Sequence, residues 1–340
     1  MVNIKIITKQ CMQKNSMMRN TIYIFGFGAF GSAIAYALSC NPSNDIYVSD
    51  PNILSEENIK EVINSSGNLS VDYSRLKLFS GKNFIKNSFI FLAIPSKSIE
   101  EWIVENKKLI SPDIIIVNLS KGFNINGGLI FDSLTEYFPE NILLTVKGPS
   151  FAEEIKRGYP TLLTISYNRH DHKILSSIKE VFDHSSVVLE YNPDFIGVEV
   201  LSVLKNIYSI FMGIVDARYD AANTTFFALT KSINEIQELL IIYGGKKETL
   251  FSSAGIGDFG LTGLNDMSRN RTFGLFVGKG FYDKRNRHSV LVEGVRSIEL
   301  VYLKAYSHNV ADRFPILSFL YGLFFDNKDI NELSKLLYVL

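Results

Sequence analysis

Short apolar runs alternate with helical stretches through the first half of the chain. Residues 21–25, 45–49, 142–146, 162–166 and 187–191 read as strands, and residues 32–40 as a helix following the first of them. Residues 88–94 (SFIFLAI) and 113–119 (DIIIVNL) each hold a continuous apolar run, as expected of strands covered on both faces. Strands separated by helical stretches predict an α/β fold built on a doubly wound parallel sheet. The texture changes after about Asn192. Residues 196–217, 223–243, 290–307 and 331–340 are helical patterns with no strand signal between them, interrupted by a glycine-rich stretch at 255–263. The boundary falls at Tyr191-Asn192-Pro193, dividing a sheet domain (21–192) from an all-α domain (193–340).

The most membrane-like run, residues 196–217, contains Glu199, Lys205 and Asn206. A charge at mid-bilayer costs roughly 2.5–3.5 kcal/mol even on a lenient scale, so a buried helix in a soluble core is expected. Lys+Arg and Asp+Glu both count 35, and no overall field draws the chain to nucleic acid or an anionic membrane. Any anionic ligand must be caught by a local cluster. With only Cys11 and Cys40 there is no disulfide framework, which points to a reducing, cytoplasmic setting. His170 and His172 are the only close histidine pair and no third ligand lies near, so no metal site is expected. Residues 1–20 are basic without an acid and lack the apolar stretch of a secretory signal. They read as an extension, disordered or following a start codon placed too early.

The first chemistry sits after the first strand, in Gly26-Phe27-Gly28-Ala29-Phe30-Gly31. Glycines at that spacing, between strand and helix, make a tight turn and let backbone approach a pyrophosphate at the helix N-terminus. This makes the sheet domain a Rossmann-type dinucleotide-binding domain, with NAD the expected cofactor and NADP the alternative. Asp50 ends the second strand, nineteen residues after Gly31. An acid there accepts hydrogen bonds from the adenine ribose hydroxyls and favours NAD. Asp50-Pro51 is equally a good helix N-cap followed by proline.

Further polar clusters close the later strands: Ile94-Pro95-Ser96, Ser120-Lys121-Gly122, and Lys147-Gly148-Pro149-Ser150-Phe151-Ala152-Glu153-Glu154. Ligands of open α/β sheets bind beyond the strand C-termini, although lysines ending strands are commonly just solvated. These segments resemble the NAD(P)-dependent glycerol-3-phosphate dehydrogenase family, in which residues 148–154 (GPSFAEE) form a specific motif. The resemblance continues in register through Glu199-Val200 with Leu204-Lys205-Asn206, then Asn223, Thr230 and Glu235. Gly255-Ile256-Gly257-Asp258 with Thr262, Ser268-Arg269-Asn270-Arg271 and Val292-Glu293-Gly294 complete it, so that it spans roughly Thr21 to the C-terminus.

Carried over position by position, the resemblance implies that Lys205 is the proton donor and acceptor, with Lys121 and Asp258 completing the catalytic cluster. Lys121, Gly148, Ser150, Lys205, Asp258, Ser268, Arg269 and Asn270 would hold substrate. Ala29, Phe30, Lys121, Ala152, Arg269, Leu291 and Glu293 would line the dinucleotide site together with the glycine loop. The implied reaction interconverts dihydroxyacetone phosphate and sn-glycerol 3-phosphate, a supply of precursor for glycerophospholipid synthesis. The residue chemistry fits: a partly buried lysine near a second lysine titrates towards neutrality, and an arginine fork suits a phosphate. The plainer readings are that Lys205 snorkels from its helix, that Arg269 and Arg271 form a solvated basic turn, and that Asp258 caps a helix. Lys231-Ser232 and Ala221-Ala222 depart from the family's usual Arg-Gly and Gly-Asp. The rival functions are a 6-phosphogluconate or ketopantoate reductase type of dehydrogenase, or a non-catalytic NAD-binding sensor. The implied partner is a small-molecule substrate; the oligomeric state is left open, a homodimer included.

Overall fold

The computed structural model describes residues 19–64, 71–81, 83–169, 172–282 and 292–340. The N-terminal stretch through residue 18, His170 and Leu291 lie outside the described residues. One sheet carries eight strands: β1 (Asn20–Phe25), β2 (Asn44–Ser49), β3 (Leu76–Leu78), β4 (Phe89–Leu92), β5 (Ile115–Asn118), β6 (Ile142–Lys147), β7 (Thr161–Tyr167) and β8 (Val187–Tyr191). Their order is β3-β2-β1-β4-β5-β6-β7-β8, with the reversal of strand order beside β1. Alternate side chains feed two separate layers. Ile22, Ile24, Phe91 and Val117 pack into one layer, while Tyr23, Phe25, Ile90 and Ile116 pack into the other. Both faces being covered explains why these strands carry consecutive apolar residues rather than an alternating pattern.

Two features differ from the sequence expectation. β3 is only three residues long and carries no readable pattern. More consequentially, β7 pairs with β6 antiparallel, while the remaining strand pairs are parallel. The connection explains it. β6 has six residues, about 20 Å at ~3.3 Å per residue. The helix between β6 and β7, Ala152–Lys156, has five residues and runs about 7.5 Å at ~1.5 Å each. It cannot return the chain along the strand, so β7 runs back instead. The ten-residue helix His172–Val181 restores a parallel crossover to β8.

Beyond the sheet, the expected helices appear as Phe195–Tyr219, Ala222–Ile242, Glu293–Ser307 and Leu333–Val339. The glycine-rich stretch is not the expected break: Ser253–Gly257 forms a wide helical turn that runs directly into the helix Asp258–Leu264. Helices Arg269–Gly278 and Pro315–Phe325 are also additional to the expectation. The central helix, Phe195–Tyr219, is long and apolar enough to cross a membrane, yet its most apolar window is wholly buried within the protein. Asp194 fixes its start, accepting from Gly197 N at 3.0 Å, Lys246 N at 2.6 Å and Thr249 Oγ1 at 2.6 Å. Helix Arg269–Gly278 presses closely against it. A β-carbon on Gly213 would lie 2.1 Å from the Arg271 carbonyl, and one on Gly274 2.1 Å from that of Ile210. That contact sets where Arg269 and Asn270 emerge relative to Lys205.

Candidate active site

The glycine loop leaves β1 through Gly26 at φ 90°. A β-carbon on Gly31 would fall 2.0 Å from the Gly26 carbonyl oxygen, so helix and turn meet as closely as backbone allows. At Gly28 a β-carbon would meet nothing within 4 Å, and Gly28 and Ala29 are exposed. The helix Ala29–Ser39 starts without a side-chain cap. Its first N–H groups and dipole therefore face open space, which fits the anionic pyrophosphate of a dinucleotide. Phe30 sits half-buried in the first turn, and the short helix beginning at Ala152 packs on this helix.

Asp50 does not cap a helix. Its Oδ1 accepts from Asn52 N at 2.8 Å in a tight turn, and the next helix starts only at Glu56. Its Oδ2 accepts from Phe27 N at 2.6 Å, bracing the glycine loop from β2.

At the C-terminal edge of β5 and β6 the chain brings three distant charged residues together. Asp258, 1% exposed in its side chain, accepts from Lys205 Nζ at 2.9 Å on one oxygen and Lys121 Nζ at 2.8 Å on the other. Lys121, which is 20% exposed in its side chain, also donates to the Gly148 carbonyl at 3.3 Å. Burial pulls the Lys205 ammonium down to about 8, Asp258 opposing and Lys121 adding to the fall. Thr262 Oγ1 donates to the Asp258 carbonyl at 2.7 Å and accepts from Ser209 at 3.1 Å, tying the Asp258 helix to the central one. A buried lysine near neutrality beside a solvent-reaching lysine is equipped to give and regain a proton.

The neighbouring side chains sort into open and occupied. Arg269 is exposed at the start of its helix, whereas Arg271 is buried and bound to Asp216 at 2.6 Å, Asp266 at 2.9 Å and the Gly263 carbonyl at 3.0 Å. Ser268 caps that helix by accepting from Arg271 N. Asn270 donates to Asn206 Oδ1 at 2.9 Å and accepts from Gly294 N at 3.2 Å. Ser150 donates to the Gly148 carbonyl at 3.0 Å. Glu293 accepts from Ser96 Oγ at 2.8 Å. Burial raises its carboxyl above the ordinary value, against Ser96, Arg296, Arg269 and Lys121. A cavity of about 500 Å³ opens farther along the central helix, lined by Asp216, Thr225, Asp266, Arg271 and Lys279 among others but not by the lysine cluster.

Sequence reasoning missed one buried pair. Lys147, at the end of β6, is not a solvated strand end: its side chain is 0% exposed and meets Glu199 of the central helix at 3.2 Å. A lysine closing the apolar strand ILLTVK was the signal available, and a single strand does not reveal what covers it.

Comparison with known proteins extends this picture over the whole chain. Residues 21–173 match the family described as NAD-dependent glycerol-3-phosphate dehydrogenase N-terminus, and residues 194–335 match the corresponding C-terminus. The glycerol-3-phosphate dehydrogenase [NAD(P)+] of Halothermothrix orenii is 30% identical over 93% of this chain and 95% of its own length. Among solved structures, glycerol-3-phosphate dehydrogenase from Coxiella burnetii superposes with a TM-score of 0.78 at 24% identity, covering 95% of this chain and 98% of that one. A probable 2-dehydropantoate 2-reductase from Bacillus subtilis reaches only 0.54 at 15% identity, over 91% of this chain and 100% of that one. The chain belongs to the NAD-dependent glycerol-3-phosphate dehydrogenase family.

Proposed function

We propose that this protein interconverts dihydroxyacetone phosphate and sn-glycerol 3-phosphate, with residues 21–192 holding the dinucleotide and contributing Lys121, Gly148 and Ser150, and residues 193–340 supplying the other substrate and catalytic residues. The observation that carries the reading is the pair of lysines on one buried carboxylate, beside an uncapped glycine loop. Gly26, Gly28, Ala29, Phe30 and Gly31, with Ala152 and Glu293 alongside, would hold a nicotinamide cofactor, which would supply or accept the hydride at C2. Asp50 keeps oxygen lone pairs for ribose hydroxyls while holding Phe27.

Protons are the business of the lysines. Reduction of the ketone requires one proton at the carbonyl oxygen, and Lys205 gives it, its positive charge also stabilising the developing alkoxide. Asp258 fixes both ammonium groups in place. Lys121, the more exposed of the two, links the buried Lys205 to solvent for reprotonation through their common carboxylate. Arg269, exposed at the start of its helix, is the cation for the substrate phosphate, and Gly148, Ser150, Ser268 and Asn270 shape the pocket around it. Its partner is the small-molecule substrate, in a cytoplasmic setting. The test is NADH oxidation on adding dihydroxyacetone phosphate, repeated with NADPH. NADH binding without oxidation would make the protein a sensor instead.

A further inference from the structure

Lys147 is among the largest fully buried side chains of the molecule, yet it is an amine. It stands at the end of β6, one residue before Gly148, whose carbonyl receives Lys121. Its ammonium donates to the Ser120 carbonyl at 2.6 Å and the Asn118 carbonyl at 3.3 Å, both in the segment that ends on Lys121. Its ionic partner, Glu199, lies on the central helix that carries Lys205, six residues further on. Glu199 Oε1 also accepts from Asn118 Nδ2 at 2.8 Å and from Thr145 Oγ1. Two backbone carbonyls, two strands and one helix therefore converge on a single ion pair.

We propose that Lys147 and Glu199 form a positioning strut for the lysine cluster: the pair joins the backbone leading to Lys121 to the helix bearing Lys205, and so sets the separation of the two across Asp258. The inference rests on the proton-transfer reading above. A strut of this kind has a mechanical and an electrostatic signature. Mechanically, displacing a reacting group by about 1 Å from its aligned geometry costs up to ~10²-fold in rate. Electrostatically, the pair is neutral as a unit and lies close to the charges it positions. Lys147 is faced by Glu199, Lys121 and Glu293, and Lys205 by Asp258 and Lys121. Removing either half leaves a net charge, of opposite sign in the two cases, near Lys121 and on the helix that carries Lys205, whereas removing both leaves none.

The test compares Lys147→Met, Glu199→Gln and the double variant Lys147→Met/Glu199→Gln in the full chain. Turnover with NADH and dihydroxyacetone phosphate should fall about tenfold or more in each, with little change in NADH affinity. Lys147→Met leaves Glu199 unbalanced, holds the Lys205 proton more tightly and moves the alkaline limb of the reduction profile to higher pH. Glu199→Gln moves it lower, and the double variant returns it to the wild-type position while turnover stays reduced. The same shifts should appear when the Lys205 amine is titrated by NMR in ¹⁵N-lysine-labelled protein without substrate, its signal assigned through Lys205→Met. That readout separates failure of the strut from failure of the proposed reaction. Where the single variants do not fold, the neutral double variant decides. Wild-type turnover in a folded double variant overturns the strut, as do single-variant Lys205 titrations that stay put or move in the same direction.

Discussion

Two buried lysine–carboxylate pairs lie within one residue's reach of the same glycine, Gly148, and they are built differently. Lys147 meets Glu199 at 3.2 Å and is further bound to two backbone carbonyls, its side chain 0% exposed. Lys205 meets Asp258 at 2.9 Å with its side chain 7% exposed, and that carboxylate is shared with a second, more exposed lysine. An ammonium has three donors. Lys147 donates to two backbone carbonyls and is also paired with Glu199, whereas among the described residues Asp258 is the one acceptor of Lys205. Saturated valence holds the fold together; unspent valence is what a substrate oxygen can use. The same contrast separates Arg271, bound on several sides, from the exposed Arg269.

The sharpest way to break this comparison is to remove each lysine in turn. Lys205→Met should lower turnover by at least ~10²-fold while melting temperature and NADH affinity stay near wild type. Lys147→Met, besides its smaller loss of turnover, should lower stability by roughly 3–5 kcal/mol, because it leaves a buried carboxylate without its counter-charge. A folded Lys205→Met protein that turns over within a few-fold of wild type would remove Lys205 from the chemistry.

The arginines sharpen the contrast with a smaller effect. Arg269→Lys keeps the charge but loses the planar fork, so kcat/KM for dihydroxyacetone phosphate should drop with the melting temperature unchanged. Arg271→Lys should do the reverse, lowering the melting temperature first. Equal substrate efficiency in Arg269→Lys and wild type would show that this arginine does not clamp the phosphate.

The titration of Lys205 gives a third check. Its value is depressed by burial to about 8. Reduction uses the protonated lysine and should be lost as pH rises through about 8, while oxidation of sn-glycerol 3-phosphate uses the neutral amine and should rise over the same range. Matching limbs in the two directions would mean another group titrates. The smallest effect is expected at Asp50. A 2′-phosphate beside that carboxylate is repelled, so NADH should be preferred over NADPH, and Asp50→Ser should narrow the gap while loosening the Phe27 contact. Higher efficiency with NADPH in the unmodified chain would reverse the assignment.

Much of this arrangement was legible in the chain because strand ends announce themselves. Lys121 and Gly148 follow mostly apolar runs, and the glycine spacing marks the loop before Ala29. Asp258 and Lys205 were brought into the same cluster by motif order, and the geometry joins them directly. What was hidden depends on elements meeting across the fold. The reversal of β7 follows from the reach of a five-residue helix, not from the strand's own pattern. The burial of Lys147 depends on a helix some fifty residues later, and nothing local distinguishes Arg269 from Arg271 until Asp216 is seen beside one of them. Asp50 was read as ribose acceptor or helix cap, while its bond to Phe27 N required the loop to fold back over β2.

The central helix has a consequence for how the molecule comes apart. A helix buried around its whole circumference is not satisfied by one neighbour. One side is covered by β6 and β7, and the others by the helices Ala222–Ile242, Arg269–Gly278 and Glu293–Ser307. Detaching either half of the chain would bare one of its flanks to water, at ~25 cal/mol for each Å² of apolar surface. The two halves are therefore not independent thermodynamic units. Calorimetry should give a single cooperative transition, with calorimetric and van't Hoff enthalpies in agreement.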